Sequence, residues 1–399
     1  MSAPIWRPTR AHCRRFRSRS TWGRRPVALR SAPRPFAGSA VAALLLSACA
    51  ADDGGSGDGP FARYPETLSA WELFVGEPAD HVPAAGVEPY DLNTPLFSDY
   101  ALKLRFIRFP TAPDGALQPA TYRDPEPFEF PVGTVIAKTF AYPDDFRSPN
   151  PHLRLLETRL LIHEEDGWVG LPYIWNEEQT DAELVIVGGP LEVSWIDGSG
   201  RTVEHTYRVP NTNQCKTCHR TDGERLLPIG PHASQLNREF VYADSGGGTG
   251  RAENQLARWR RLGLLEDAPP LAEAPRAPVW NDSSTGSLGE RARTWLDINC
   301  AHCHNLTGSG RTSGLDLRAV HDDRTRLGVY KHPVAAGQGT GDRLYGVVPG
   351  RPDESILVYR LESVHPGVMM PELGRGLVDT EAVALIRRWI EEMEPGTEA

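Results

Sequence analysis

Two short segments hold the residues best suited to chemistry: CKTCH, from Cys215 to His219, and CAHCH, from Cys300 to His304. Each sets two thiols three residues apart, with an imidazole directly behind the second. On a helical turn, residues i and i+3 lie on one face. Three chemistries use such a pair. A zinc ribbon takes four thiolates with about 15–20 residues between the pairs, whereas 81 residues separate Cys218 from Cys300. A thioredoxin-like pair needs a strand-to-helix context and no histidine. Covalent haem attachment uses every residue: each sulfur adds to one vinyl group, and the adjacent histidine reaches the iron from the same side. With 12 histidines in 399 residues, a histidine behind both pairs is not an effect of composition. The sequence therefore predicts two covalently bound c-type haems, the first on Cys215, Cys218 and His219 and the second on Cys300, Cys303 and His304.

The other cysteines fit an exported protein. Of six in all, Cys13 lies in an Arg-rich N-terminal stretch and Cys49 closes Leu46-Ser47-Ala48-Cys49, which resembles a bacterial lipobox. The apolar run before it, AGSAVAALLLSACA, is too short to span a bilayer. Residues 1–48 read as a lipoprotein signal, Cys49 as the lipidated residue, and residues 49–60, rich in Gly and Asp, as a flexible tether. An ordinary cleaved signal with an incidental Cys49 is the alternative. Arg24-Arg25 resembles a twin-arginine signal, but that route carries folded cargo, whereas haem is added after an unfolded chain has crossed. The expected location is the cell envelope, facing the periplasm, with the outer membrane as the anchor. No cysteine is left for disulfides.

Charge narrows the partners. The first 48 residues carry ten Arg and no Lys, Asp or Glu, so the formal net charge of −9 becomes −19 without them, 33 basic residues against 52 acidic. Such a surface repels nucleic acid and favours proteins with a basic docking surface.

The elements that must position the motifs follow from periodicity. Residues 61–210 read as strands: ALKLRFIRF, PVGTVIAKTFAY, LRLLETRLLIH, GWVGLPYIW, AELVIV, PLEVSWI and RTVEHTYRV, with turns at Glu165-Asp166-Gly167, Gly188-Gly189-Pro190 and Asp197-Gly198. The pattern predicts a β-sandwich-like module, with Trp168, Trp175 and Trp195 in its core rather than forming a sugar-binding stripe. Its acidic residues Asp144, Asp145, Glu177, Glu178 and Asp181 read as a solvated face rather than a catalytic site. Residues 211–268 form the first haem region, where RAENQLARWRRLGLL predicts a helix stopped by Gly263, and 269–284 are a Pro/Ala-rich linker. In 285–396, Ser287 and Glu290 make a capping-box pattern for the helix that enters CAHCH, and Asp379 is the N-cap of TEAVALIRRWIEEM.

A helix running into CxxCH, a loop-rich middle, a Met-Pro pair and a closing amphipathic helix resemble the class I cytochrome c fold. That resemblance implies that Met370, before Pro371, supplies the sixth ligand of the second haem, with Met369 as its rival. The overall expectation is α+β multidomain: the β module, then mostly α-helical, loop-rich cytochrome c-like domains. PYDLNTPLFSDYALK, WNEEQTDAEL and NQCKTCH, in this order, are similar to a family of bacterial di-haem c-type cytochromes that are often lipoproteins. The resemblance implies that β module and haems act together, and it makes a parallel β-helix protein a candidate partner.

The first haem has no obvious sixth ligand, because no methionine lies between the signal and Met369. His232, His205, His163 and His152 are candidates, or the position is open. Two function classes follow. One is an electron carrier passing single electrons between cell-envelope redox partners. The other is a haem enzyme, peroxidase-like or an oxidase or dehydrogenase subunit, with the first haem as an open substrate site.

Overall fold

β-branched and aromatic residues alternating with charged ones set up the strands, since successive side chains in a strand point to opposite faces. In chain order the strands are β1 (Val87–Tyr90), β2 (Leu102–Arg108), β3 (Ala120–Thr121), β4 (Val135–Pro143), β5 (Leu153–Glu164), β6 (Gly167–Trp175), β7 (Ala182–Leu184), β8 (Gly189–Ile196), β9 (Thr202–Val209), β10 (Glu239–Tyr242), β11 (Arg251–Asn254) and β12 (Leu265–Glu266). The helices are α1 (Thr212–His219), α2 (Ala233–Leu236), α3 (Gln255–Arg261), α4 (Leu288–Leu296), α5 (Ile356–Glu362) and α6 (Thr380–Glu391). The computed structural model describes residues 61–220, 225–243 and 250–395. The signal, the tether and the proposed lipid site Cys49 lie outside these. Among the described residues no helix is long and apolar enough to cross a membrane.

One antiparallel sheet, in the order β1-β2-β4-β5-β6-β7, organises the chain. The β8–β9 hairpin packs Val193, Trp195, Tyr207 and Val209 against Phe140, Tyr142 and Leu156 of the sheet. A second cluster joins sheet residues Ile107, Ile136 and Trp168 to Leu226, Leu236, Leu256, Trp259 and Ile298, which come from the two haem-motif regions. Trp259 is fully buried, with Tyr90, Phe109 and Phe128 ring centroids 5.5–6.3 Å away. β12 also pairs in parallel with β3. The chain after residue 211 thus completes the core of the sheet.

The expected fold class is corrected by this architecture. The protein is sheet-dominated, 26% strand against 21% helix, and does not contain mostly α-helical cytochrome c-like domains. The local patterns are present: Ser287 and Glu290 cap α4 reciprocally, Asp379 caps α6, and the two helices pack Ala292, Trp295 and Leu296 against Ala382, Ile386 and Ile390. Both are short, however, at 9 and 12 residues, and α5 has 7. Most of the chain between them runs in turns. An amphipathic period identifies a helix but does not say that helices will dominate the domain.

The segment Asp91–Tyr100 ties the parts together. Asn93 Nδ2 donates to Ser234 O (2.9 Å), and Thr94 Oγ1 donates to Pro278 O (2.9 Å). Phe97 N donates to Asn299 Oδ1 (2.7 Å), beside the second motif. Asp99 accepts from Gly376 N and Leu377 N, both at 2.7 Å, and the Tyr100 hydroxyl donates to Glu381 Oε2 (2.9 Å). These contacts fall within PYDLNTPLFSDYALK, the stretch on which the sequence resemblance rests.

Candidate haem-attachment site

α1 carries the first motif. Asn211 and Gln214 close a reciprocal capping box, each side chain accepting from the other's backbone N–H at 2.9 Å, which starts the helix at its first free donors. Cys215 and Cys218 then share a face. α1 lies over β6 at Gly170, where a Cβ would come within 3.2 Å of the Cys215 Cβ. The glycine leaves room for the sulfur. His219 Nδ1 lies 2.7 Å from Leu227 O, and Leu227 N donates to His219 O at 2.8 Å. A carbonyl can only accept, so Nδ1 holds the proton and Nε2 keeps its lone pair. Burial, with the Lys138 charge next, pushes the His219 imidazole down to about 3, so it is neutral. A neutral imidazole with its rear nitrogen held by a carbonyl is the usual form of a metal-ligating histidine.

The second motif follows α4 through one wide π turn, Asp297–Ala301. Buried Asn299 holds that turn, its Nδ2 donating to Trp295 O at 3.0 Å. Ser313 Oγ donates to Gly310 O (2.7 Å) and so faces His304 Nδ1 (3.0 Å) as an acceptor. Again Nδ1 is engaged and Nε2 is left for a ligand. Burial lowers the His304 pKa as well. Gly310 passes so close that a Cβ there would sit 3.0 Å from the His304 ring.

The two motifs, far apart in sequence, meet. Donor atoms of Cys218, His302 and Cys303 lie within 4.8 Å of one another, and Cys303 Sγ is 3.7 Å from Thr217 O. As free thiols Cys218 and Cys303 share a hydrogen bond that raises the first and lowers the second to about 4. His302 was not singled out from the sequence: its Nδ1 is buried without a hydrogen-bond partner among the described residues. Three donors fall one short of a four-coordinate structural zinc site. Such a site would also leave Cys215, His219, Cys300 and His304 unexplained, whereas haem attachment uses all of them.

Beside the first motif is a narrow cleft with a cavity volume of about 80 Å³, lined by Cys215, His219, Lys103, Arg105, Lys138 and Arg159 among others. Burial and the neighbouring Arg159 and Arg105 push the Lys138 amine down to about 7, and burial lowers Lys103 well below the ordinary lysine range. These four cations were not recognisable as a group in the sequence. Lys103 and Arg105 show only the strand alternation, and their partners are set by cross-strand register.

Met370 sits in the loop before α6. Its N donates to Arg360 O (3.1 Å) and its carbonyl accepts from Arg375 Nη2 (2.8 Å). Arg360 Nε also donates to Val368 O (2.8 Å). The charges of Arg360 and Arg375 are felt at His304 and Cys300, so the loop lies near the second motif. Met369 is buried.

Of the histidines considered as sixth ligands of the first haem, three are held by other groups. His205 Nε2 pairs with Asp99 Oδ2 at 3.0 Å, and His232 Nε2 donates to Ile229 O at 2.6 Å. His163 donates from Nδ1 to Phe130 O (2.9 Å) and stacks on Trp168 at 4.5 Å, while His152 is exposed. Trp168, Trp175 and Trp195 are buried in the core. The acidic residues do not converge: Asp145 pairs with Arg147, Asp181 accepts from Ser69 N, and Asp144, Glu177 and Glu178 are exposed. No protein-family model, curated protein or solved structure matches the chain.

Proposed function

We infer that the protein carries two covalent c-type haems and passes single electrons between cell-envelope redox partners. The observation that carries this reading is the meeting of the two CxxCH motifs, each with a histidine whose Nδ1 is engaged and whose Nε2 remains available. Bound haem would supply the one-electron chemistry at its iron. Cys215, Cys218, Cys300 and Cys303 would hold the groups as thioethers, with His219 and His304 as proximal ligands and Met370 as the sixth ligand of the second. Motifs that meet at Cys218 and Cys303 would hold the two groups near each other, which suits transfer between them.

The setting follows from the sequence. Lipid on Cys49 would tether the protein to the envelope membrane facing the periplasm, and the acidic chain would dock redox partners with basic surfaces, a parallel β-helix protein among the candidates. Methionine ligation raises a haem potential relative to histidine, so the second haem has the higher potential. Redox titration with near-infrared spectroscopy tests this: Met370→His should remove the methionine-to-iron band and lower only the upper potential. A high-spin first haem that binds cyanide and turns over peroxide would overturn the carrier reading in favour of an enzyme.

A further inference from the structure

One rung of the main sheet carries three cations side by side: Arg105 on β2 faces Lys138 on β4, which faces Arg159 on β5. Lys103, two residues from Arg105, adds a fourth on the same face. All four border the cleft that holds Cys215 and His219. The carboxylates nearby are committed to the arginines. Asp91 accepts from Arg105 at 2.7 Å and from Arg238 at 3.0 Å, and Glu157 accepts from Arg159 Nε at 2.8 Å and from the Tyr207 hydroxyl at 2.6 Å. Neither lysine hydrogen-bonds to a carboxylate among the described residues. Lys103 Nζ donates to Ala101 O at 2.8 Å, and Lys138 Nζ lies 5.2 Å from the Phe140 ring centroid. Two half-buried amines with no carboxylate in hydrogen-bond contact lose much of their charge, and an incoming anion would restore it.

We propose that this rung is a carboxylate-binding site that takes the two propionates of the haem held by Cys215 and Cys218, one for each lysine. The proposal rests on the haem reading above. A cation lost next to a haem stabilises its oxidised form. Redox titration of holoprotein carrying Lys138→Met should therefore show the lower potential shifted downward and the upper one unmoved, with Lys138→Arg restoring the wild-type value. Should Lys138→Met fail to accumulate, Lys103→Met gives the same readout. Added acetate should leave the wild-type potentials unchanged, because the site is already filled.

A lower potential in Lys138→Met and Lys103→Met equal to that of wild type overturns the proposal. So does a saturable acetate-induced shift in wild type, which assigns the rung to an exogenous carboxylate. Counting covalent haem per denatured chain separates these failures from that of the haem reading itself, which fails only if the wild type carries none.

Discussion

Asp99 is the most exacting test of how the fold holds the loop of Met370 in place. Its side chain is buried, and its carboxylate accepts from Gly376 N and Leu377 N at 2.7 Å and from His205 at 3.0 Å. Its backbone φ is +51°, a region that Asp and Asn tolerate better than most residues. Asp99→Ala removes three hydrogen bonds and adds backbone strain. A buried donor left unpaired costs about 1–3 kcal/mol, and a left-handed alanine adds about 1 kcal/mol. Gly376 is exposed, so its N–H regains water, and the total comes to about 2–4 kcal/mol. Asp99→Asn keeps the backbone conformation and one acceptor, and should cost about 1 kcal/mol. Equilibrium urea unfolding of the holoprotein reads both values. The near-infrared methionine band should weaken in the alanine variant before the tryptophan fluorescence of the sheet changes. An alanine variant within about 0.5 kcal/mol of wild type, with the band intact, would refute the reasoning.

Three further outcomes are expected. Buried His81, held between Ala79 O and Thr139 Oγ1, is pushed down to about 4 by burial. Its contribution is fully present above the unfolded value near 6.5 and is lost as pH falls through about 4, a change of up to about 3 kcal/mol. Unfolding free energies at pH 7 and pH 4 should show that loss reduced in His81→Asn. Gly310→Ala should keep the covalent haem but displace the His304 ring, costing about 1–3 kcal/mol and raising the high-spin signal of the second haem; an unchanged spectrum would contradict the contact. His205→Gln should lower stability and leave the spin state of the first haem unchanged, since its Nε2 belongs to Asp99; a new high-spin signal in that variant would restore His205 as a ligand.

Much of the local structure was legible in the sequence. GWVGLPYIW forms β6 and RTVEHTYRV covers β9, because period-two alternation with turn residues at each end depends only on near neighbours. The capping box of Ser287 with Glu290 was legible for the same reason. What sequence could not show is what long-range contact decides. The packing of Trp259 into the sheet core, the joining of β12 to β3, and the meeting of Cys218 with Cys303 link segments far apart in the chain. The basic rung depends on register across three strands, which no single strand encodes.

The most direct test of the central claim is haem counted by mass spectrometry and haem staining on the denatured chain, after production in a host that matures c-type cytochromes. Two covalent haems are expected on the wild type, with one lost in Cys215→Ala or Cys218→Ala and the other in Cys300→Ala or Cys303→Ala. A wild-type chain with no covalent haem and one equivalent of zinc, released when Cys218, His302 or Cys303 is replaced, would contradict it.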